Sequence, residues 1–151
     1  MNKLLLVAAL AVAAYFAYAP GVPDRLEAPL RPAAVAVAED GEDAAFEKAF
    51  AERLHNQQLA GRGTVVKLLP DDNDGSRHQR FIVRLGSGQT LLVSHNIDLA
   101  PRINTLRVGD KVAFYGEFEW NSKGGVMHWT HHDPQGRHPA GWIRHDGRTY
   151  Q

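Results

Sequence analysis

Hydrophobic positions in this 151-residue chain follow three rules in turn. Between Lys3 and Pro20 nothing is charged, and Leu4 to Ala19 is almost wholly Leu, Val, Ala and aromatic. From Asp43 to Leu59 the spacing is helical: Phe46, Phe50 and Leu54 recur at i, i+4, i+8, with Glu47, Lys48, Glu52 and Arg53 between them. From Gly63 the period falls to two, the mark of strands with one buried face. Pro20, Pro23, Pro29 and Pro32, set among alanines, read as an extended tether. The expected divisions are a signal anchor or signal peptide over 1–20, a Pro/Ala-rich tether over 21–42, a helix over 43–60 and a β-domain over 61–151.

Five strands are expected at about 63–69, 78–85, 89–97, 110–120 and 126–133, with a short helical turn near 99–106 after the third. That order suits a mainly β fold: a five-stranded barrel of the oligonucleotide/oligosaccharide-binding (OB) type, with one N-terminal amphipathic helix packed on it. Hairpin registers sharpen the expectation. A turn at Gly86-Ser87-Gly88 puts Phe81, Val83, Leu85, Leu91 and Val93 on one face, and His78, Arg80, Arg84, Ser94 and Asn96 on the other. A turn over Ser122–Gly125 sets Trp120 against Met127 and Phe118 against Trp129. It also sets Tyr115 opposite His132, Glu117 opposite Thr130 and Glu119 opposite His128. Phe81, Val93, Phe118 and Trp129 are therefore expected inward, because a one-residue slip would exchange the two faces. Trp142 to Tyr150 reads as a small hairpin about Asp146-Gly147.

Composition then narrows the class. Basic and acidic side chains balance, 17 to 17, yet residues 1–60 carry five and eight while residues 61–151 carry twelve and nine. The β-domain is mildly basic. That is compatible with an anionic ligand and far from a nucleic-acid-coating protein. The absence of cysteine excludes disulfides, thiolate metal sites, a cysteine nucleophile and a lipidated cysteine anchor. A basic start followed by an apolar run predicts export. The domain is then expected on the periplasmic side of the inner membrane, held through residues 4–19, or secreted if the segment is cleaved. Pro20, directly after the small-residue site Ala17-Tyr18-Ala19, disfavours cleavage.

The polar faces carry the candidate chemistry, since they are weighted toward His and Arg. His78, Arg80, Arg84, Asn96, Tyr115 and Arg137 are the expected ligand-binding residues. Glu117, Glu119, His128 and His132 are the expected catalytic ones, because an imidazole beside a carboxylate can move protons near neutral pH. Arg80, Glu119, His128, His131 and His132 are expected to share one region. A divalent metal is the one cofactor this composition points toward, and His131, Asp133 and His138 are its candidate ligands. His128 and His132 lie ~13 Å apart along a strand at ~3.3 Å per residue, too far to share an ion. The loop Asp71–Ser76 has the composition of a calcium loop but lacks the glutamate at its twelfth position. No G-x-S-x-G, Gly-rich phosphate loop or Rossmann fingerprint is present.

The strings His78-Gln79-Arg80-Phe81, His95 through Arg102, and Gly116-Glu117 through Gly136-Arg137-His138 resemble an exported bacterial family catalogued as a domain of unknown function. The resemblance covers residues 60–151 and implies an exported small domain without an assigned activity. A looser likeness, in topology alone, is to the staphylococcal-nuclease barrel, from which no motif carries over. Two readings stand. In the first, an envelope-located OB-like domain binds an anionic polymer or glycan through an Arg/His-rich face. In the second, the domain hydrolyses phosphodiester-type bonds with His/Glu acid–base residues, with or without a metal. The barrel hosts both kinds of activity, so fold cannot choose between them.

Overall fold

The computed structural model describes residues 39–151, so the apolar run and most of the tether lie outside the described residues. One helix, α1 (Glu39–Ala51), precedes seven strands: β1 (Gln57–Leu68), β2 (His78–Arg84), β3 (Thr90–Asn96), β4 (Lys111–Glu119), β5 (Val126–His128), β6 (Trp142–His145) and β7 (Arg148–Tyr150). Among the described residues no helix is long and apolar enough to cross a membrane.

Five of the strands close on themselves in the order β1-β2-β3-β5-β4, with β4 returning to β1. Every neighbouring pair is antiparallel except β3 and β5. This is a closed barrel of OB-like topology. Closure depends on β1 serving two neighbours: Gln57–Thr64 pair with β4, and Thr64–Leu68 pair with β2. The register breaks between Val65 and Lys67, and such a bulge bends and twists a strand enough to turn the corner. Val65, Phe81, Leu91, Phe114 and Phe118 fill the interior without exposure.

α1 lays one apolar stripe on the barrel. The Phe46 ring meets Phe114 and Phe118 edge-on at centroid distances of 6.0 and 5.9 Å. Asp43 Oδ2 accepts the Ser87 N–H at 2.6 Å and so pins the helix to the β2–β3 turn. The helix ends at Ala51, well before the expected residue 60, and Gln57–Ala60 already belong to β1. Arg53 (φ 53°) and Asn56 (φ 55°) adopt left-handed backbone conformations, which stop a helix and turn the chain. The helical turn expected near 99–106 is instead irregular chain. Gln79 clasps it, donating from Nε2 to the Ile103 carbonyl (3.0 Å) and accepting the Ile103 N–H at Oε1 (2.8 Å), which seats Ile103 in the core.

The β2–β3 register agrees with the sequence reading: His78 faces Asn96 and Arg84 faces Thr90. The β4–β5 register is displaced by two residues, so Glu117 faces His128, Phe118 faces Met127 and Glu119 faces Val126. The expected pairs Glu119–His128, Glu117–Thr130, Tyr115–His132 and Phe118–Trp129 do not form. Asn121 is the cause, because its Oδ1 accepts the N–H groups of Lys123 and Gly125 (2.8 and 3.1 Å) and folds the loop earlier. Trp120 then leaves the ladder and packs beside Phe50 and Arg53. β5 stops after three residues instead of running to Asp133. Trp129 (φ 52°) breaks the strand and stays out of the core, while Thr130 and His131 are buried in its place. The tail hairpin forms about Asp146-Gly147, and its β6 strand pairs with β4 at Ala113–Tyr115.

Candidate functional site

A slip of two residues preserves which face a side chain occupies, so Glu117, Glu119 and His128 stay together on the outside of the barrel. Gln58 on β1 pairs with Glu117 on β4, and Glu117 with His128 on β5. Carried one residue past Val93–Met127, the parallel β3–β5 register brings Ser94 alongside His128. Arg80 on β2 lies opposite Ser94 and completes the row. The ligand atoms of Glu117, Glu119 and His128 all fall within 4.8 Å of one another.

Two further histidines arrive from outside the strands. His138 returns in the long loop between β5 and β6, with Nε2 2.8 Å from Glu117 Oε2 and Nδ1 2.9 Å from the Pro139 carbonyl. Its ring stacks on Trp129 at 4.0 Å and 11°, which fixes its plane. His55, just past α1, places Nδ1 2.5 Å from Glu119 Oε2, and the Asn56 N–H donates to Glu119 Oε1 at 3.0 Å. Partial burial raises the Glu119 carboxyl, but the His55 and Asn56 bonds outweigh it and hold the group below the ordinary carboxylate value. His128 is depressed mainly by burial, against the pull of Glu117 and Glu119, so its imidazole is neutral at pH 7. His128 Nε2 lies 3.3 Å from Glu117 Oε1 yet makes no hydrogen bond.

The loop that delivers His138 is built by Asp133. Its carboxylate accepts the N–H groups of Gln135 (2.9 Å), Arg137 (2.7 Å) and His138 (3.0 Å), and these bonds hold its pKa low. Asp133 is therefore a turn builder and not the metal ligand expected. Asp133→Ala should speed amide exchange at Arg137 and His138 several-fold while leaving β2 and β3 protected; unchanged exchange would show that the loop is held otherwise.

The remaining expected residues are scattered. His132 is exposed beyond the break at Trp129, and His131 is buried with Nδ1 2.7 Å from the His132 carbonyl. Neither joins the cluster. Arg80 shares the outer face but contacts Asp72 and the Pro70 carbonyl. His78 turns to the Ser76 carbonyl, and Asn96 closes a turn at the Asp98 N–H. Arg84 is exposed at the end of β2, and Tyr115 leans on the Trp142 ring, 6.3 Å away. Arg137 borders a groove of about 470 Å³ that also takes in Leu99, Trp129, Pro134 and His138. His55 and Gln58 were missed because the residues around them read as helix, and no local pattern marks either.

None of the curated proteins matches the chain. A family model matches residues 30–151, which include the whole barrel and every residue of the cluster, and the chain belongs to that family, described as a protein of unknown function (DUF3465).

Proposed function

We propose that this domain is an exported hydrolase of phosphodiester-type bonds, acting at the Glu117–His138 pair. The observation that carries the reading is the double position of His138, which lines the groove and also contacts the carboxylate cluster. A group that relays protons must lie within hydrogen-bond reach of its substrate and be held in orientation. His138 has both, through the groove on one side and Glu117 and Trp129 on the other. Water attacks the phosphorus of a substrate held in the groove and the bond to the leaving oxygen breaks; the proton that His138 shares with Glu117 passes to that oxygen, the water's proton returns to the pair, and Arg137 at the groove wall meets the substrate's negative charge. The N-terminal apolar run supports placement outside the cytoplasm, held at the membrane or released by cleavage.

The test is turnover of an activated phosphodiester, bis(4-nitrophenyl) phosphate, by the full chain. Glu117→Gln keeps the shape and removes the charge, and is expected to cost about 10²-fold in rate. Wild-type turnover no faster than the protein-free rate, or full activity in the variant, refutes the hydrolase. A second reading has its own support in the Trp129 and Arg137 walls of the groove: binding of an anionic polymer or glycan without turnover. Saturable binding of such a polymer by a catalytically inert protein would select it.

A further inference from the structure

Among the described residues three buried side-chain polar atoms lack a hydrogen-bond partner, and two of them, His128 Nε2 and Gln58 Oε1, belong to the row through Glu117. An unsatisfied buried polar atom costs about 1–3 kcal/mol, and native folds rarely keep one without a water, ion or ligand to meet it. The Gln58 orphan disappears if its amide oxygen is turned to the His138 ring N–H in place of the NH₂ group, but His128 Nε2, unpartnered beside the Glu117 carboxylate, marks a place built for something more than the chain itself.

The donors around that place have a definite chemistry. Glu117, Glu119 and His128 offer two carboxylates and one imidazole within 4.8 Å. No Lys or Arg pairs with either glutamate among the described residues; their ionic partners are His55, His128 and His138. Both carboxylates are also oriented from behind, Glu117 by His138 and Glu119 by His55 and the Asn56 N–H. Ligating carboxylates in metal centres are held in this way by outer hydrogen bonds. Nitrogen with oxygen and no thiolate suits zinc, manganese, iron or nickel, whereas calcium needs six to eight oxygens, more than this cluster provides.

We propose that Glu117, Glu119 and His128 bind one first-row divalent transition-metal ion. The site differs from the His131, Asp133 and His138 set that the sequence suggested: His131 is buried apart, Asp133 caps its loop, and His138 stands behind Glu117. The assignment deepens the hydrolase reading and rests on the same centre, where an ion of this class would supply a Lewis acid beside the Glu117–His138 pair.

The untagged full chain, stripped with chelator and desalted, is titrated with Zn²⁺ by calorimetry and with Co²⁺ by visible absorption. One saturable equivalent is expected, with cobalt bands of a nitrogen–oxygen site. His128→Gln and Glu119→Gln should each weaken Zn²⁺ binding by about 10–100-fold, with circular dichroism unchanged. His132→Gln, at an exposed histidine, should bind as wild type does. If either cluster variant fails to fold, the other carries the comparison. Absence of a saturable equivalent, or wild-type affinity in the folded variant, overturns the site. Stoichiometric binding by a chain without turnover refutes the hydrolase and leaves the site. Undiminished turnover by a stripped chain that binds no equivalent refutes the site and leaves the hydrolase.

Discussion

Replacing Phe118 with alanine is expected to lower the free energy of unfolding by about 3–5 kcal/mol, the range for truncating a fully buried aromatic side chain. Phe118 has no exposure, and three separate elements border its ring. Phe46 of α1 meets it edge-on at 5.9 Å, and Met127 of β5 lies opposite. The backbone of Gly125 approaches so closely that a Cβ there would strike the ring. Barrel walls tied by ladder hydrogen bonds cannot collapse far into the space left behind, so the cavity cost should be nearly complete. Denaturant titration with an unchanged m-value is the measurement. A loss below about 1 kcal/mol would mean that Phe118 does not sit in the core.

Acid should destabilise the domain through one buried histidine. His95 is without exposure, with Nδ1 2.8 Å from Thr130 Oγ1 and Nε2 3.2 Å from the Pro101 carbonyl. Burial pushes its pKa from 6.5 down to about 4; the Pro101 carbonyl opposes the shift, while His131 and His78 add to it. The unfolded chain therefore binds this proton more readily than the native one, and between those two values unfolding takes it up. The stability concerned is fully present above pH 6.5 and is lost progressively as pH falls to 4, amounting to about 3 kcal/mol at 1.36 kcal/mol per pH unit. His95→Gln isolates the effect from the carboxylates, which also titrate in acid. The advantage of wild type over this variant should shrink by about that amount from pH 7 to pH 4. Parallel stability curves would rule His95 out as the cause.

A few residues decide which parts of the fold were legible in the sequence. The β2–β3 register was legible because its turn is short: Leu85 and Gln89 close it with a direct backbone bond of 2.9 Å. The β4–β5 register was not, because the Asn121 side chain captures two amides and Gly124 and Gly125 both take positive φ (113° and 101°). Alternation survived that error, which is why Glu117, Glu119 and His128 could be placed on one face from period alone. Trp129 defeated the pattern, since a left-handed residue of its size has no local signal. His132 was misplaced for that reason, whereas His131 is buried as plain alternation points it, and only an assumed bulge before Asp133-Pro134 put it in the shared region. His138 and His55 reach the cluster by tertiary return, the first through the Asp133 turn and the second through barrel closure. The apolar run over 4–19 lies outside the described residues.

The strand that closes the barrel also sets when the cluster is braced. Glu119 holds His55 and Asn56 across 64 and 63 positions of chain, and Glu117 faces Gln58 through the same β1–β4 seam. Contacts of such long sequence separation carry the loop-closure cost that slows folding. Hairpins such as β2–β3 and β4–β5 can form without that seam, and β4–β5 alone brings Glu117, Glu119 and His128 together; the supports from His55, Asn56 and Gln58 cannot. Bracing of the two carboxylates is thus a late event, coincident with sealing of the seam. An interaction formed after the rate-limiting barrier changes the unfolding rate and leaves the folding rate nearly alone. Anything that grips the carboxylates only when they are braced in this way should therefore act as a latch, lengthening the lifetime of the native barrel without hastening its formation.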